Sequence, residues 1–332
     1  MAKESFLVIG AGAWGTALSI RLAKNELEVS LTSRDKENLS EIRKTKENKK
    51  YLPSINIPES INIKDEILPC LANSSVVLLC VKSSGFKKIA AELNNHMGPE
   101  QKLIWATKGL DPDTGETFSE TIKKKMPSLN KTAIISGPTF AEEVAKGKPT
   151  AITLASENIQ ELSDLASIMS SSLFRVYTSN DIVGVQLGGA FKNIIAIAAG
   201  ASDALSLGAN ARTALISRGL EEMKSIGVSF GAKPETFFGL SGLGDLVLTS
   251  TDDQSRNRRL GLLIGSGISL DNAIEKLGTT PEGVHAVNAL YNKQALHEGL
   301  PIANAVYSIL FAGVPAESLV EKLMTRPLKE EL

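Results

Sequence analysis

Histidine and cysteine are scarce in this 332-residue chain, which has three of the first and two of the second. Both shortages exclude chemistry. A dehydrogenase with a histidine base needs that residue near the strand edges of its sheet. Here His96 follows a polar helical pattern, and His285 and His297 lie far along the second half. Cys70 and Cys80 can form at most one bridge, and their setting has neither metal nor redox spacing, so a reducing cytoplasm is the expected location. No Ser/His/Asp order, metal-ligand cluster or phosphate-binding P-loop occurs, and no metal is expected. Charge of one sign is lacking as well. The formal net charge is −1, which leaves no electrostatic footprint for nucleic acid or an anionic membrane.

Long uninterrupted apolar runs are also missing. The opening MAKESFLVIGAGAWG imitates a secretory signal, but Gly10, Gly12 and Gly15 break the run where such a signal wants continuous apolar helix. The stretch Ile182–Leu205 carries Gln186, Lys192, Asn193 and Asp203, too many polar groups for a lipid-exposed helix. The chain therefore reads as soluble, with no membrane partner.

What is present is an ordinary core-forming composition, 42% hydrophobic and 22% charged, on a length that suggests about two domains. In the first half, short β-rich runs (Phe6–Ile9, Glu28–Thr32, Val76–Val81, Leu103–Ala106, Ala133–Ile135) alternate with helical patterns at Gly85–Asn94 and Thr117–Lys125. This is the signature of a parallel sheet built from βαβ units. Asp35–Lys50 reads as solvated helix and loop. Ala151–Leu154 and Phe174–Tyr177 bracket an amphipathic helix around Gln160–Met169 and are expected to pair at the sheet edge. After Asn180 strands vanish and Ala-, Leu- and Gly-rich helical patterns take over. The expected division is an α/β domain over 1–180 and an all-α domain over 181–332.

Gly10-Ala-Gly12-Ala-Trp-Gly15 follows the strand SFLVI and precedes the helical TALSIRLA, the context a dinucleotide fingerprint requires. Gly10 makes the tight turn, Gly12 admits the pyrophosphate and Gly15 lets helix pack on strand, so the first domain reads as Rossmann-like. NAD selectivity usually comes from a carboxylate ending the second strand. Here that end reads LTSRD, so Arg34 points to a 2′-phosphate and NADPH, with NADH possible if Asp35 holds the ribose.

In GGAFKNIIAIAAG (188–200), Lys192 and Asn193 are the polar exceptions among small and aliphatic residues. On a helix, Gly188, Gly189, Ala196 and Ala199 lie on the lysine's side, and their small size is expected to leave room for a ligand. Partial desolvation suits a lysine to proton exchange near neutral pH, and its mid-segment position argues against snorkelling to a helix end. Lys108, in ATKGL just past a strand, reads equally as a ligand contact at the sheet edge or as an exposed loop residue. The loop Ser136–Glu143 follows another strand, and Gly137 with nearby amides can hold a substrate oxygen. In SRNRR, Arg256 and Asn257 offer donors for an anionic ligand. Read alone, the segment fits better a solvated face on which Asp252 and Asp253 pair with the arginines.

Taken together, GAGAWGTA, ATKGL, SGPTFAEE, GGAFKNIIAIAAG, SGLGDLVLT and SRNRRLG resemble, over essentially the whole chain, the bacterial NAD(P)-dependent sn-glycerol-3-phosphate dehydrogenase family. The resemblance implies a Rossmann-like N-terminal domain, an all-helical C-terminal domain and a cytoplasmic homodimer. It also implies reduction of dihydroxyacetone phosphate to glycerol 3-phosphate for phospholipid synthesis. By the same resemblance Lys192 is the catalytic proton donor and acceptor. Lys108, Gly137, Thr139, Asp245, Ser255, Arg256 and Asn257 contact substrate, with Asp245 bonded to the lysine or to the substrate hydroxyl. Cofactor positions are Ala13, Trp14, Arg34, Lys108, Ala141, Arg256, Thr280 and Glu282. Position 13 is often serine in the family and position 280 aliphatic, so alanine and threonine there depart from its pattern. The resemblance turns SRN from a solvated face into a phosphate clamp.

Two other readings stand beside it. A lysine-based β-hydroxyacid dehydrogenase has asparagine four residues after the lysine, where this chain has Ala196. A non-catalytic NADP-binding sensor has no need of Lys192, Lys108, Asp245 or Arg256.

Overall fold

A computed structural model describes residues 4–318 and divides the chain into two compact units. The first comprises the residues up to Asp111 together with Glu116–Gln186; the second comprises Pro112–Gly115 and the chain from Leu187 on.

The strands of the first unit are β1 (Ser5–Ile9), β2 (Glu28–Thr32), β3 (Glu47–Asn48), β4 (Leu52–Asn56), β5 (Ile61–Lys64), β6 (Val76–Leu79), β7 (Lys102–Trp105), β8 (Thr132–Ser136), β9 (Thr150–Ala155) and β10 (Phe174–Ser179). Eight of them form one sheet in the order β10-β9-β8-β7-β6-β1-β2-β5. Every pairing in it is parallel except β8 with β9. The apolar runs predicted as strands all lie in this sheet, and β9 and β10 do pair at its edge. Two features went unread. The β5 sequence INIK is too polar to stand out, and of the β3–β4 ribbon, β3 lies inside Asp35–Lys50, the segment taken for helix and loop, while β4 follows just after it.

Side chains alternate across the sheet as strand geometry requires. Phe6, Val8, Val29, Leu31 and Ile104 join one core with the helix Ala13–Lys24. Leu7, Ile9, Val77, Leu79, Leu103 and Trp105 join the other, against Phe86, Phe118 and Ile122. Burial on both faces explains why the strands are continuously apolar.

Among the described residues the second unit is wholly helical. It includes the later part of the helix Ile182–Ala204, whose earlier residues Ile182 and Val185 belong to the core of the first unit. The helix is long and apolar enough to cross a membrane, but 89% of its apolar window is buried inside the protein, which marks a core helix.

Candidate active site

In the first unit, the glycine loop leaves the C-terminal end of β1 and enters the helix Ala13–Lys24. Gly10 holds φ at +118°, and a Cβ there would meet the carbonyl of Cys80. A Cβ on Gly15 would collide with the Gly10 carbonyl, so helix and strand touch backbone to backbone. Gly12 differs: nothing stands within 4 Å of where its Cβ would be. Gly12 is also the N-cap and offers no side-chain cap, so among the described residues none accepts a hydrogen bond from the N–H groups of Gly12, Ala13 or Trp14. The buried Trp14 Nε1 likewise has no partner. An open face of unpaired donors at a helix start fits a pyrophosphate.

Arg34 follows β2. It is exposed, makes no hydrogen bond or ion pair with any described residue, and its guanidinium lies 3.5 Å from the Cβ position of Gly85. Asp35, the alternative ribose ligand, is engaged elsewhere. Its carboxylate caps the helix Lys36–Thr45 by accepting from the Asn38 N–H at 3.0 Å, and it pairs with Lys50 at 2.7 Å. The Lys50 hydrogen bond, then the Asn38 amide, hold that carboxyl below its usual range. The free arginine favours a 2′-phosphate.

Lys108 follows β7 and is half-buried, with Nζ donating to the Gly137 carbonyl at 3.0 Å. The Thr139 hydroxyl donates to the same oxygen at 3.1 Å. Lys108, Gly137 and Thr139 thus meet on one carbonyl past the C-terminal ends of neighbouring parallel strands, where open α/β sheets bind ligands. Ala141 begins the next helix, Ala141–Lys146, which packs on the helix of the glycine loop.

In the second unit, Lys192 is buried, 6% exposed. Its ammonium donates to the Asp245 carboxylate, itself 0% exposed, and to the Thr249 hydroxyl at 2.8 Å. A carboxylate partner is what permits a lysine to stay charged inside a helical core. Asp245 opens the helix Asp245–Thr251 directly after a single π-helical turn, Leu240–Gly244. Thr249 lies one turn further along the same face. The sequence reading missed Thr249; its spacing of four from Asp245 was the available signal.

The expected vacancy around Lys192 is corrected at Gly188. A Cβ there would lie 2.5 Å from the Ser241 carbonyl, so the glycine brings two backbones together and leaves no ligand space on that side. The backbone it admits belongs to the turn that presents Asp245.

Asn193 accepts from Asn257 Nδ2 at 2.9 Å, and Asn257 Oδ1 accepts from the Gly283 N–H at 2.9 Å. Asn257 therefore links the Lys192 helix to the helix Glu282–Asn292, which opens with Glu282 just after the half-buried Thr280. Ser255 caps the helix Arg256–Gly265 by accepting from the Arg258 N–H at 3.2 Å. Arg256, first in that helix, is exposed and has no hydrogen-bond or ion-pair partner among the described residues. Asp253 pairs instead with Arg258, at 3.0 Å, and Arg258 also holds Asp203. Asp253 thus pairs with a buried arginine and not on a solvated face, and Arg256 is left available to an anion.

Family models described as the N-terminus and C-terminus of NAD-dependent glycerol-3-phosphate dehydrogenase match residues 5–162 and 181–321. The chain is 42% identical to glycerol-3-phosphate dehydrogenase (NAD(P)+) of Pasteurella multocida, covering 100% of this chain and 99% of that one. It is 45% identical to the enzyme of the same name from Nitrosococcus oceani, covering 98% and 95%. A crystal structure of glycerol-3-phosphate dehydrogenase from Coxiella burnetii aligns with a TM-score of 0.92 and 38% identity over 98% of this chain and 99% of that one. D-mandelate dehydrogenase with NADH aligns at a TM-score of 0.61 and 14% identity over 95% and 99%, a likeness of fold alone.

Proposed function

The chain belongs to the NAD-dependent glycerol-3-phosphate dehydrogenase family, and on that premise we propose that it reduces dihydroxyacetone phosphate to sn-glycerol 3-phosphate with NAD(P)H. The observation that carries the chemistry is the buried ammonium of Lys192 held by Asp245 and Thr249. When bound, the nicotinamide supplies a hydride to the C2 carbonyl carbon. Lys192 stabilises the negative charge that grows on the carbonyl oxygen and gives that oxygen a proton, completing the alcohol. Asp245 keeps the amine charged before transfer and Thr249 fixes its direction. Lys108 and Thr139, gathered on the Gly137 carbonyl, hold and polarise the substrate. Arg256, Ser255 and Asn257 serve its phosphate, the arginine by charge and the other two by placing the helix start.

Gly10, Gly12, Ala13, Trp14 and Gly15 hold the dinucleotide, and Arg34 selects NADPH by pairing with its 2′-phosphate. Ala141, Thr280 and Glu282 complete the cofactor set by family resemblance. Ala13 brings only backbone to it. The domain division at 180/181, a homodimer, a cytoplasmic location and a role in phospholipid synthesis belong to the same reading.

The test is steady-state oxidation of NADPH and of NADH by the purified protein with dihydroxyacetone phosphate, beside Lys192→Ala. Substrate-dependent turnover that the variant loses supports the assignment, and the ratio of the two cofactors tests Arg34. A folded protein that binds NADPH and turns over no phosphorylated ketone would sink it.

A further inference from the structure

Asn48 lies in the β3–β4 ribbon, far in sequence from the glycine loop, yet it is completely buried beneath that loop. Its Nδ2 spends both hydrogens there, donating to the Ala11 carbonyl at 2.9 Å and to the Thr16 hydroxyl at 2.8 Å. Its Oδ1 accepts from the Tyr51 N–H at 3.3 Å, which ties the amide to its own turn. The Ala11 carbonyl and the Gly12 N–H share one peptide plane and point to opposite sides of it. A donor that draws the carbonyl down beneath the loop therefore turns the Gly12 N–H outward. The Gly12 N–H has no partner among the described residues, and a Cβ placed on Gly12 would meet nothing within 4 Å.

We propose that Asn48 is a positioning residue for the cofactor: through the Ala11 carbonyl it aims the Gly12 amide at the pyrophosphate. This rests on the dinucleotide reading of the preceding section. A free glycine loop has many peptide orientations, and an amide aimed in advance binds without first losing that freedom. A ribbon inserted after the second strand supplies the anchor. Thr16 is the second partner of the same Nδ2 but carries no peptide that faces the ligand, so the two bonds differ in their expected effect.

The test compares ADP-ribose, which contains the pyrophosphate, with 2′-AMP, which lacks it, by calorimetric titration of the purified protein. Asn48→Leu and Asn48→Ala both remove the donor, the first with an apolar side chain in its place and the second by truncation. Thr16→Val removes the lesser bond and leaves the Ala11 bond in place. Either Asn48 variant is expected to raise the Kd of ADP-ribose about tenfold and leave that of 2′-AMP within about twofold, and Thr16→Val to change neither. Thermal melts identify a variant that has not folded, and the remaining Asn48 variant then decides. Equal weakening of both ligands, no weakening of either, or an equal effect from Thr16→Val would overturn the role of Asn48. Failure of the unaltered protein to bind ADP-ribose would overturn the dinucleotide reading along with it.

Discussion

Gly12 in the first unit and a set of helix glycines in the second do opposite work. In the first, Gly12 faces open space, with nothing within 4 Å of a Cβ placed on it. In the second, four glycines within helices are filled by their neighbours: Gly188 by the Ser241 carbonyl, Gly200 by that of Arg258, Gly261 by that of Ile197 and Gly227 by the ring of Phe237. One glycine makes room for something from outside. The others let neighbours pack against bare backbone, and at Gly188 this brings the turn that carries Asp245 against the Lys192 helix. The difference teaches that a small residue beside a polar one is no sign of a binding cavity until its neighbours are known.

The sharpest break between the units comes from removing the lysine of the enclosed one. Lys192→Met is expected to lower kcat by about three orders of magnitude, within the range for a lost general acid. Cofactor affinity, to which Lys192 does not contribute on this reading, should stay within about twofold. Because the substitution removes the cation beside a buried carboxylate, it should also lower the thermal midpoint. Adding Asp245→Leu should return the midpoint without returning turnover.

Next in size is the glycine contrast itself. Gly261→Val places side-chain atoms against the Ile197 carbonyl and the Ala201 N–H, with no flexible chain end to yield. A loss of about 3 kcal/mol is expected, read as a lower urea midpoint for the helical unit. Gly12→Ala should leave stability within about 0.5 kcal/mol, because its φ of −77° suits any residue and the space is empty. Yet it should weaken NADPH binding about tenfold or more, because the added methyl stands where the pyrophosphate must approach. Equal damage to folding from both substitutions would dissolve the distinction.

How much of this the sequence disclosed follows the same line. Strand positions were legible because residues such as Leu7, Val8, Val77 and Leu78 are buried on both faces of a parallel sheet and cannot alternate with polar ones. The fingerprint loop was legible because its glycines sit in a fixed strand-to-helix context. The β3–β4 ribbon was not, since Asn48 looks like any polar loop residue and its value lies in a contact 37 residues back along the chain. The Asp245 partnership with Lys192 spans 53 residues and no periodicity announces it; family resemblance pointed there first. Gly188 was misread for a related reason, because size is written in the sequence and the neighbour that fills the gap is not.

The smallest effect concerns the polar staple beside the open loop. Lys50 and the Asn38 amide depress the Asp35 carboxyl, so their contribution is present above the unfolded carboxyl value and lost as pH falls through the lower folded one. Lys50→Met should therefore lower the thermal midpoint slightly at neutral pH, and the gap from the unaltered protein should close on acidification toward pH ~3. A gap that widened in acid would contradict the pairing.

The burial of Asp245 carries one more consequence, once Lys192 acts as the proton donor. Before the step, the lysine and aspartate together are neutral. After it, the amine is neutral and the carboxylate no longer faces a cation at Lys192, while the Thr249 hydroxyl stays 3.5 Å from it. A buried anion that has lost its cation pulls on a nearby proton. The pair therefore behaves as a sprung catch that is set while both charges are present and driven to reset as soon as one is spent. Turnover then ends only when a proton has come back in from water, so recovery of that proton, and not only hydride transfer, belongs to the rhythm of the cycle.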